Sequence, residues 1–409
     1  MDKTIFEVEI SNSGPKSYET ATVMKMPASF AEFSDALQKA RIKDGSFCKN
    51  ELTCIHYNGL THAMIGWNAN LYDLNLFAQR LASLTEEQKK GMDALLKIKQ
   101  NHRVAPIPLN QLINLTYNTD ICCFAPRVSN HEELGAFLYA NEMLSNEAMA
   151  LLDTTEEGSG FRERLLELLG EQHQEDHGGV FTDFGYAELG GEIKDIYVCQ
   201  SNETACFHRS DAPVVLEVRK GFFNDKTAVL NLPAADAGIW RAVEKVDAAS
   251  VDECAFRCVD CLIPFLRDAI NNAIDDEDGI EQADEFAKRL AQIEREWPES
   301  DMVKYKALLS VVDHPSLQDA TRLMGEIDQY ELRPEVAQTW GYAEMMFREK
   351  YSALPEELFQ TPQAAQIGQK MLDDRLGVIT EYGLIRRKDG QPLPVFQPEQ
   401  EIGQGLEMM

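Results

Sequence analysis

Hydrophobic residues change period several times along the 409-residue chain, and the period separates strand from helix. Phe6, Val8 and Ile10 alternate with Glu7 and Glu9, which predicts a half-buried strand, and Ala21–Met26 and Leu52–Tyr57 read as two more. Pro27 suits a first helical turn, so a helix is predicted from there through Ala40. Leu71, Leu74, Phe77, Ala78 and Leu81 recur at the spacing of one buried face, so Leu71–Leu84 is a predicted amphipathic helix. Thr85 caps a predicted helix Glu86–Lys99, and Pro108-Leu109 opens another through Tyr117. His131–Asp153 reads as helical, and Val180–Tyr197 reads as a hairpin turning at Gly190-Gly191.

From about Val214 the series begins again, and short segments recur in the same order. MPASFAEFSDAL (Met26–Leu37) aligns with LPAADAGIWRAV (Leu232–Val243). FAQRLASL (Phe77–Leu84) aligns with FAKRLAQI (Phe286–Ile293), five of the eight positions being identical. Ala94-Leu95-Leu96 matches Ala307-Leu308-Leu309, while Leu109, Leu115 and Asp120 match Leu317, Leu323 and Asp328. Thr182-Asp183-Phe184-Gly185 matches Thr380-Glu381-Tyr382-Gly383. Short amphipathic helices resemble one another by chance, but chance does not preserve order, so the expectation is a tandem duplication.

The fold class expected is α+β: an elongated multi-domain chain of small α/β units and helical bundles in two similar copies. The first copy comprises an α/β unit (1–65), a helical unit (66–150) and an acidic helix with a β-hairpin (151–200). A polar linker (201–211) leads to the second copy, with an α/β unit (212–270), a helical unit (271–350) and a helix, hairpin and tail (351–409).

Charge changes this picture most. The net charge is −29, yet the chain is 44% hydrophobic, enough to build a core rather than a disordered acidic tail. Residues 1–110 are close to neutral, whereas 111–200 hold seventeen acids against four bases. Asp153, Glu156 and Glu157 lead through Glu171, Glu175 and Asp176 to Asp183 and Glu188, and a second patch is Asp275, Asp276, Glu277, Asp278, Glu281, Asp284 and Glu285. Any one such run is commonly just a solvated face. Like charges held on a folded scaffold repel one another, so the whole pattern implies a use. Direct binding of nucleic acid or anionic lipid is excluded by the same sign.

The runs NLYDLNLFAQRLASL (Asn70–Leu84), LINLTYNTD (Leu112–Asp120) and SNHEELGAFLYA (Ser129–Ala140) resemble the ArdA antirestriction proteins, as does the opening VEISNSGP with Met26-Pro27. The resemblance covers roughly the first 150 residues and reaches the second half through the duplication. It implies an acidic surface that imitates the phosphates of bent duplex DNA and occupies type I restriction-modification enzymes, with Asp120, Glu132 and Glu133 on the matching passage. It also implies no cofactor and no catalysis. The chain departs from the family at Leu52–Asn70, acidic there and free of acid here, where mimicry by the first domain would be carried. Because ArdA proteins pair two chains, two copies in one chain would make a pseudo-dimer able to act as a monomer.

The physics of mimicry is simple. Duplex DNA carries one charge per about 1.7 Å of axis, so 29 charges correspond to roughly 15 base pairs. Carboxylates at fixed positions would meet the cationic groups that otherwise meet phosphates, and an array already curved would suit a cleft that bends DNA. An inhibitor of a different target, such as a CRISPR nuclease, is the alternative.

Chemistry-bearing motifs are sparse. Cys254, Cys258 and Cys261 have the CxxxCxxC spacing of a radical iron–sulfur site, but they lie in a helical-looking stretch (ECAFRCVDCLIPFL) and read as buried thiols. Nine irregularly spaced cysteines, including the adjacent Cys122 and Cys123, fit reduced thiols. His173 and His177 could join Glu175 or Asp176 at a metal and revive a metal-dependent hydrolase, although a histidine pair in an acidic surface loop is the expected reading. Trp240, Trp297, Trp340 and Tyr72 read as packing residues. With no apolar run of membrane-spanning length and no signal-peptide pattern in MDKTIFEVEI, a cytoplasmic protein is expected, without membrane partners.

Overall fold

The computed structural model describes residues 4–14, 17–43, 48–66, 69–101, 106–198, 212–221, 226–275, 279–350, 355–359, 361–375 and 377–393. The linker expected at 201–211 and the acids Asp276, Glu277 and Asp278 lie outside them. The chain is mixed α and β and divides into two units. One comprises Met1–Ile10, Val23–Ala28 and Asp44–Phe207; the other comprises Ser11–Thr22, Ser29–Lys43 and His208–Met409.

In the first unit, strands β1 (Phe6–Ser11), β2 (Thr22–Met26) and β3 (Lys49–Ile55) form a sheet in the order β2-β1-β3. Phe6, Val8 and Ile10 point inward as the alternation requires. Helix Leu71–Ser83, capped by Asn70, buries Leu71, Leu74, Phe77, Ala78 and Leu81, the five residues of its predicted face. Helices Glu86–Asn101 and Leu109–Tyr117 follow close to their expected bounds. A second sheet joins β4 (Cys122–Pro126), β5 (Val180–Thr182) and β6 (Gly185–Leu189) in the order β4-β6-β5, antiparallel throughout.

The second unit holds β7 (Val214–Lys220), β8 (Thr227–Leu232) and β9 (Cys254–Cys261) in the order β8-β7-β9. Strands β10 (Tyr330–Arg333), β11 (Val378–Thr380) and β12 (Gly383–Arg387) take the order β10-β12-β11. Its main core runs from the inward face of β7, through Phe286, Ala287 and Leu290 on helix Gly279–Glu296, to Ala307, Leu308 and Leu309 on helix Glu299–Leu309.

Helix Phe30–Lys39 also belongs to the second unit, although it precedes β3 of the first. Its attachment is polar and buried. The Asp35 carboxylate accepts from Lys306 Nζ at 2.9 Å and from the Tyr382 hydroxyl at 2.8 Å. Lys39 lies 3.3 Å from Asp35 and 2.7 Å from Glu381. Burial pushes the Asp35 carboxyl up, but Lys306 and Lys39 outweigh it and hold the group below its ordinary value.

Several local expectations are corrected. The first helix starts at Phe30, not Pro27, because Ser29 and Glu32 form a capping box there; the peptide bonds Met26-Pro27 and Leu232-Pro233 are both cis. His131–Asp153 is two helices, His131–Ala140 and Asn146–Asp153, separated at Glu142, which has φ 56°, and reopened by the Ser145 cap. The hairpin turns at Asp183-Phe184 rather than Gly190-Gly191. Thr182 Oγ1 accepts from Phe184 N at 3.1 Å and donates to Gly185 O at 2.8 Å, closing the turn four residues wide. Gly185 takes φ 131°, and a Cβ there would lie 2.2 Å from Ala125 O. The cysteine-rich stretch is strand β9, hydrogen-bonded along β7, rather than a helix. Trp240 is exposed rather than packed, while Trp297 stacks edge-on against Tyr305 with ring centroids 5.7 Å apart.

Candidate acidic interface

The densest run of acids is carried by helix Gly160–His177, and its sequence explains its placement. Ser159 Oγ accepts from Arg162 N at its start, and Gly178, at φ 68°, ends it in the left-handed conformation. The helix packs on His131–Ala140, which is capped by Asn130. Glycine faces backbone at the crossing. A Cβ at Gly135 would lie 2.0 Å from Leu166 O, and one at Gly170 would lie 2.0 Å from His131 O. Close approach of the two backbones lets a small core suffice: Ala125, Val128, Leu134, Leu138 and Tyr186.

The acids wind away from that crossing. Glu163, Glu167, Glu171 and Glu175 recur every four residues, so each step rises by about 6 Å and turns about 40° further round the helix. Glu163, Glu171, Glu175 and the neighbouring Asp176 are exposed, and Glu167 pairs with Arg164 at 2.5 Å. Asp153, Glu156 and Glu157 are exposed at and just after the end of the preceding helix, and Asp183 is exposed at the hairpin turn. Asp120, Glu132 and Glu133 are exposed as well. Glu133 is also structural: it accepts from Ser129 N at 2.7 Å and Ser129 Oγ at 2.8 Å, and these bonds hold its carboxyl below the ordinary range.

Elsewhere the expected acids divide. Asp275, Glu281 and Glu285 are exposed in the second unit. Asp284 is buried, so it is no part of an acidic surface; it accepts from Ala234 N at 2.7 Å and pairs with Lys288 at 2.9 Å. Asn75 performs the same task in the first unit, accepting from Ala28 N at 2.7 Å. Glu188 is half-buried and lies 2.8 Å from His173 Nε2.

That histidine sits in the last turns of the helix, not in a surface loop. The His173 and His177 rings stack 4.0 Å apart, and His177 Nδ1 donates to His173 O at 3.0 Å. His173 thus holds the helix end to Glu188 on β6, and His177 packs on His173 within the helix. Among the described residues no group of three or more His, Cys, Asp or Glu is arranged to hold a metal ion. Cys258 and Cys261 are buried free thiols on β9; burial pushes Cys258 up to about 12 and Cys261 higher still, which leaves both protonated and unreactive at neutral pH.

Sequence reasoning missed the apolar side chains beside the acids. Phe161 and Leu168 on the same helix are 63% and 47% exposed, and Met143 and Leu151 are 54% and 45% exposed nearby in sequence. The signal was present, since Phe161, Leu165 and Leu168 have helical spacing without an expected partner. Charge with interspersed apolar groups suits a protein surface better than a solvated tail.

No described helix is long and apolar enough to cross a membrane. Comparison of the chain with protein-family models, curated proteins and solved structures finds no match.

Proposed function

We propose that this protein is an antirestriction DNA mimic of the ArdA kind, built as a tandem duplication of one unit and directed at a type I restriction-modification enzyme. The reading rests first on the placement of the acids. Of the fifteen expected interface acids among the described residues, thirteen are exposed, against Glu188 and Asp284. Seven of the thirteen (Asp153, Glu156, Glu157, Glu171, Glu175, Asp176 and Asp183) line helix Gly160–His177, the residues before its cap and a hairpin tip, whereas Glu281 and Glu285 line a cavity of the second unit beside Lys288 and Arg289.

Duplication is supported by repeated construction. The central strand lies between its neighbours in the same way in the sheets β2-β1-β3 and β8-β7-β9, and again in β4-β6-β5 and β10-β12-β11. Thr380 closes its hairpin as Thr182 does, with bonds of 2.8 and 3.2 Å, and Gly383 takes φ 127° beside the 131° of Gly185. Arg41 and Asp247 fall at aligned positions after aligned helices, with φ 57° and 59°. Gly368 reproduces the glycine crossing, a Cβ there lying 1.8 Å from Thr339 O.

In this account the exposed carboxylates occupy the phosphate-binding groups of the target, and the pseudo-dimer supplies within one chain what the family obtains from two. A protection assay tests it. Unmodified DNA challenged with a type I enzyme should survive when the protein is present in modest excess; complete cleavage at every ratio would remove the function and leave only the fold.

A further inference from the structure

Helix Phe30–Lys39 buries Ala31, Phe33, Asp35, Ala36 and Leu37, whereas its aligned counterpart Asp236–Lys245 buries only Ala242 and Val243. The face that the second unit covers on the first of these helices stands open on the other: Ala237, Trp240, Arg241 and Lys245 are exposed, Trp240 by 49%. The receiving surface differs in the same sense. In the second unit it is Lys306, Glu381 and Tyr382, with Tyr382 only 4% exposed beneath the helix. The aligned residues of the first unit are Asp93, Asp183 and Phe184, and Phe184 is 46% exposed.

The charges at these open positions are complementary. Asp35 meets Lys306 in the filled site, at 2.9 Å. At the aligned positions the signs are exchanged: the helix carries the exposed Arg241, and the receiving surface carries Asp93, half-buried and 3.4 Å from Lys97, which Arg241 would join or displace. The second pair keeps its sign, since Lys39 with Glu381 becomes Lys245 with Asp183. An aromatic ring closes both surfaces, Tyr382 in one and Phe184 in the other. We infer that helix Asp236–Lys245 of one chain docks on the Asp93, Asp183 and Phe184 surface of a second copy of this chain, linking molecules head to tail.

The sign exchange gives this contact its specificity. Helix Phe30–Lys39, with Asp35, would set like charges together at Asp93, and helix Asp236–Lys245, with Arg241, would do so at Lys306, so each helix is directed to one surface. The link is weaker than its filled template, because Gly238 stands where Glu32 pairs with Arg267 and because Lys90, whose ammonium lies 5.6 Å from the Phe184 ring centroid, must swing aside. A contact in which different faces meet leaves one face of each kind free for a further copy, so chains add one after another until the series closes into a ring or continues as a filament. The inference rests on the alignment of the two halves and not on the identity of the target.

Sedimentation velocity across micromolar to hundred-micromolar concentration tests it. A mass rising above the 46.1 kDa of one chain is expected, and Arg241→Asp and Asp93→Lys should each weaken association by about ten-fold or more. The double variant R241D/D93K recreates the Asp–Lys arrangement of the filled site and should restore it. Arg241 is exposed, so R241D keeps the test sound even if D93K fails to fold. A mass fixed at 46.1 kDa throughout, or association indifferent to R241D, overturns the inference. Loss of self-association with DNA protection intact would fall on this inference alone, whereas lost protection with association intact would fall on the proposed function.

Discussion

Two helix pairs in this molecule share one plan and differ in charge. His131–Ala140 with Gly160–His177 and Thr339–Lys350 with Pro362–Arg375 each pack backbone against glycine and support a three-stranded sheet. Gly160–His177 carries five acids against two arginines, while Pro362–Arg375 carries two acids against two bases. A scaffold that forms at near-neutral charge in one place does not need its acid in the other. The load on the first helix is therefore an addition to the fold, and the proposed recognition role would account for it.

The comparison can be broken at its glycines, which should give the largest effects. Gly170→Val and Gly368→Val each force a Cβ onto a backbone carbonyl 2.0 or 1.8 Å away, so each should cost about 2–4 kcal/mol in denaturant unfolding. A neutral outcome at Gly368 alone would show that the two crossings are not equivalent.

Breaking the attachment of helix Phe30–Lys39 comes close behind. Asp35→Ala leaves the buried Lys306 with Gln38 Oε1, at 3.0 Å, in place of a carboxylate and should cost about 2–3 kcal/mol on the second unit. Because Asp35 is held below its ordinary value of 3.8, its contribution is complete above that pH and lost as pH falls through the lower folded value. Thermal scans should therefore show an acid-sensitive step below about pH 4 that the variant lacks.

Asp284→Ala sharpens the comparison at smaller scale. It leaves the Ala234 N–H without its 2.7 Å acceptor and should cost about 1–3 kcal/mol, with target binding unchanged in the folded protein. Asn75→Ala should do the same at Ala28. The smallest effect is expected at Ser159→Ala, about 1 kcal/mol from loss of the helix cap.

Much of this fold was legible, and the failures have physical causes. Strand β1 and helix Leu71–Ser83 were found because period alone places one face inward. The turn was assigned to Gly190-Gly191 because paired glycines dominate hairpin statistics, whereas a threonine hydroxyl closes the real one at Thr182. Cys254–Cys261 looked helical because its few polar residues define no period; pairing with β7 decides its conformation. Asp284 was counted with the exposed acids because composition cannot distinguish a solvated carboxylate from one fastened to a backbone amide. The aligned Asn75, polar at the same inward position, was the available cue. Exposure itself, which makes an acidic run an interface, is a property of packing and had no direct signal in the sequence.

The central claim is that the carboxylates of helix Gly160–His177 act as phosphates. Binding of the protein to a purified type I enzyme, measured as a function of salt for the wild type and for E163Q/E167Q/E171Q/E175Q, tests it most directly. By analogy with about 0.9 ion released per phosphate contact, the wild type should show a steep fall of log affinity with log salt, and the variant a slope shallower by up to about 3–4 with much weaker binding at low salt. Equal affinities and equal slopes for the two proteins would contradict the account.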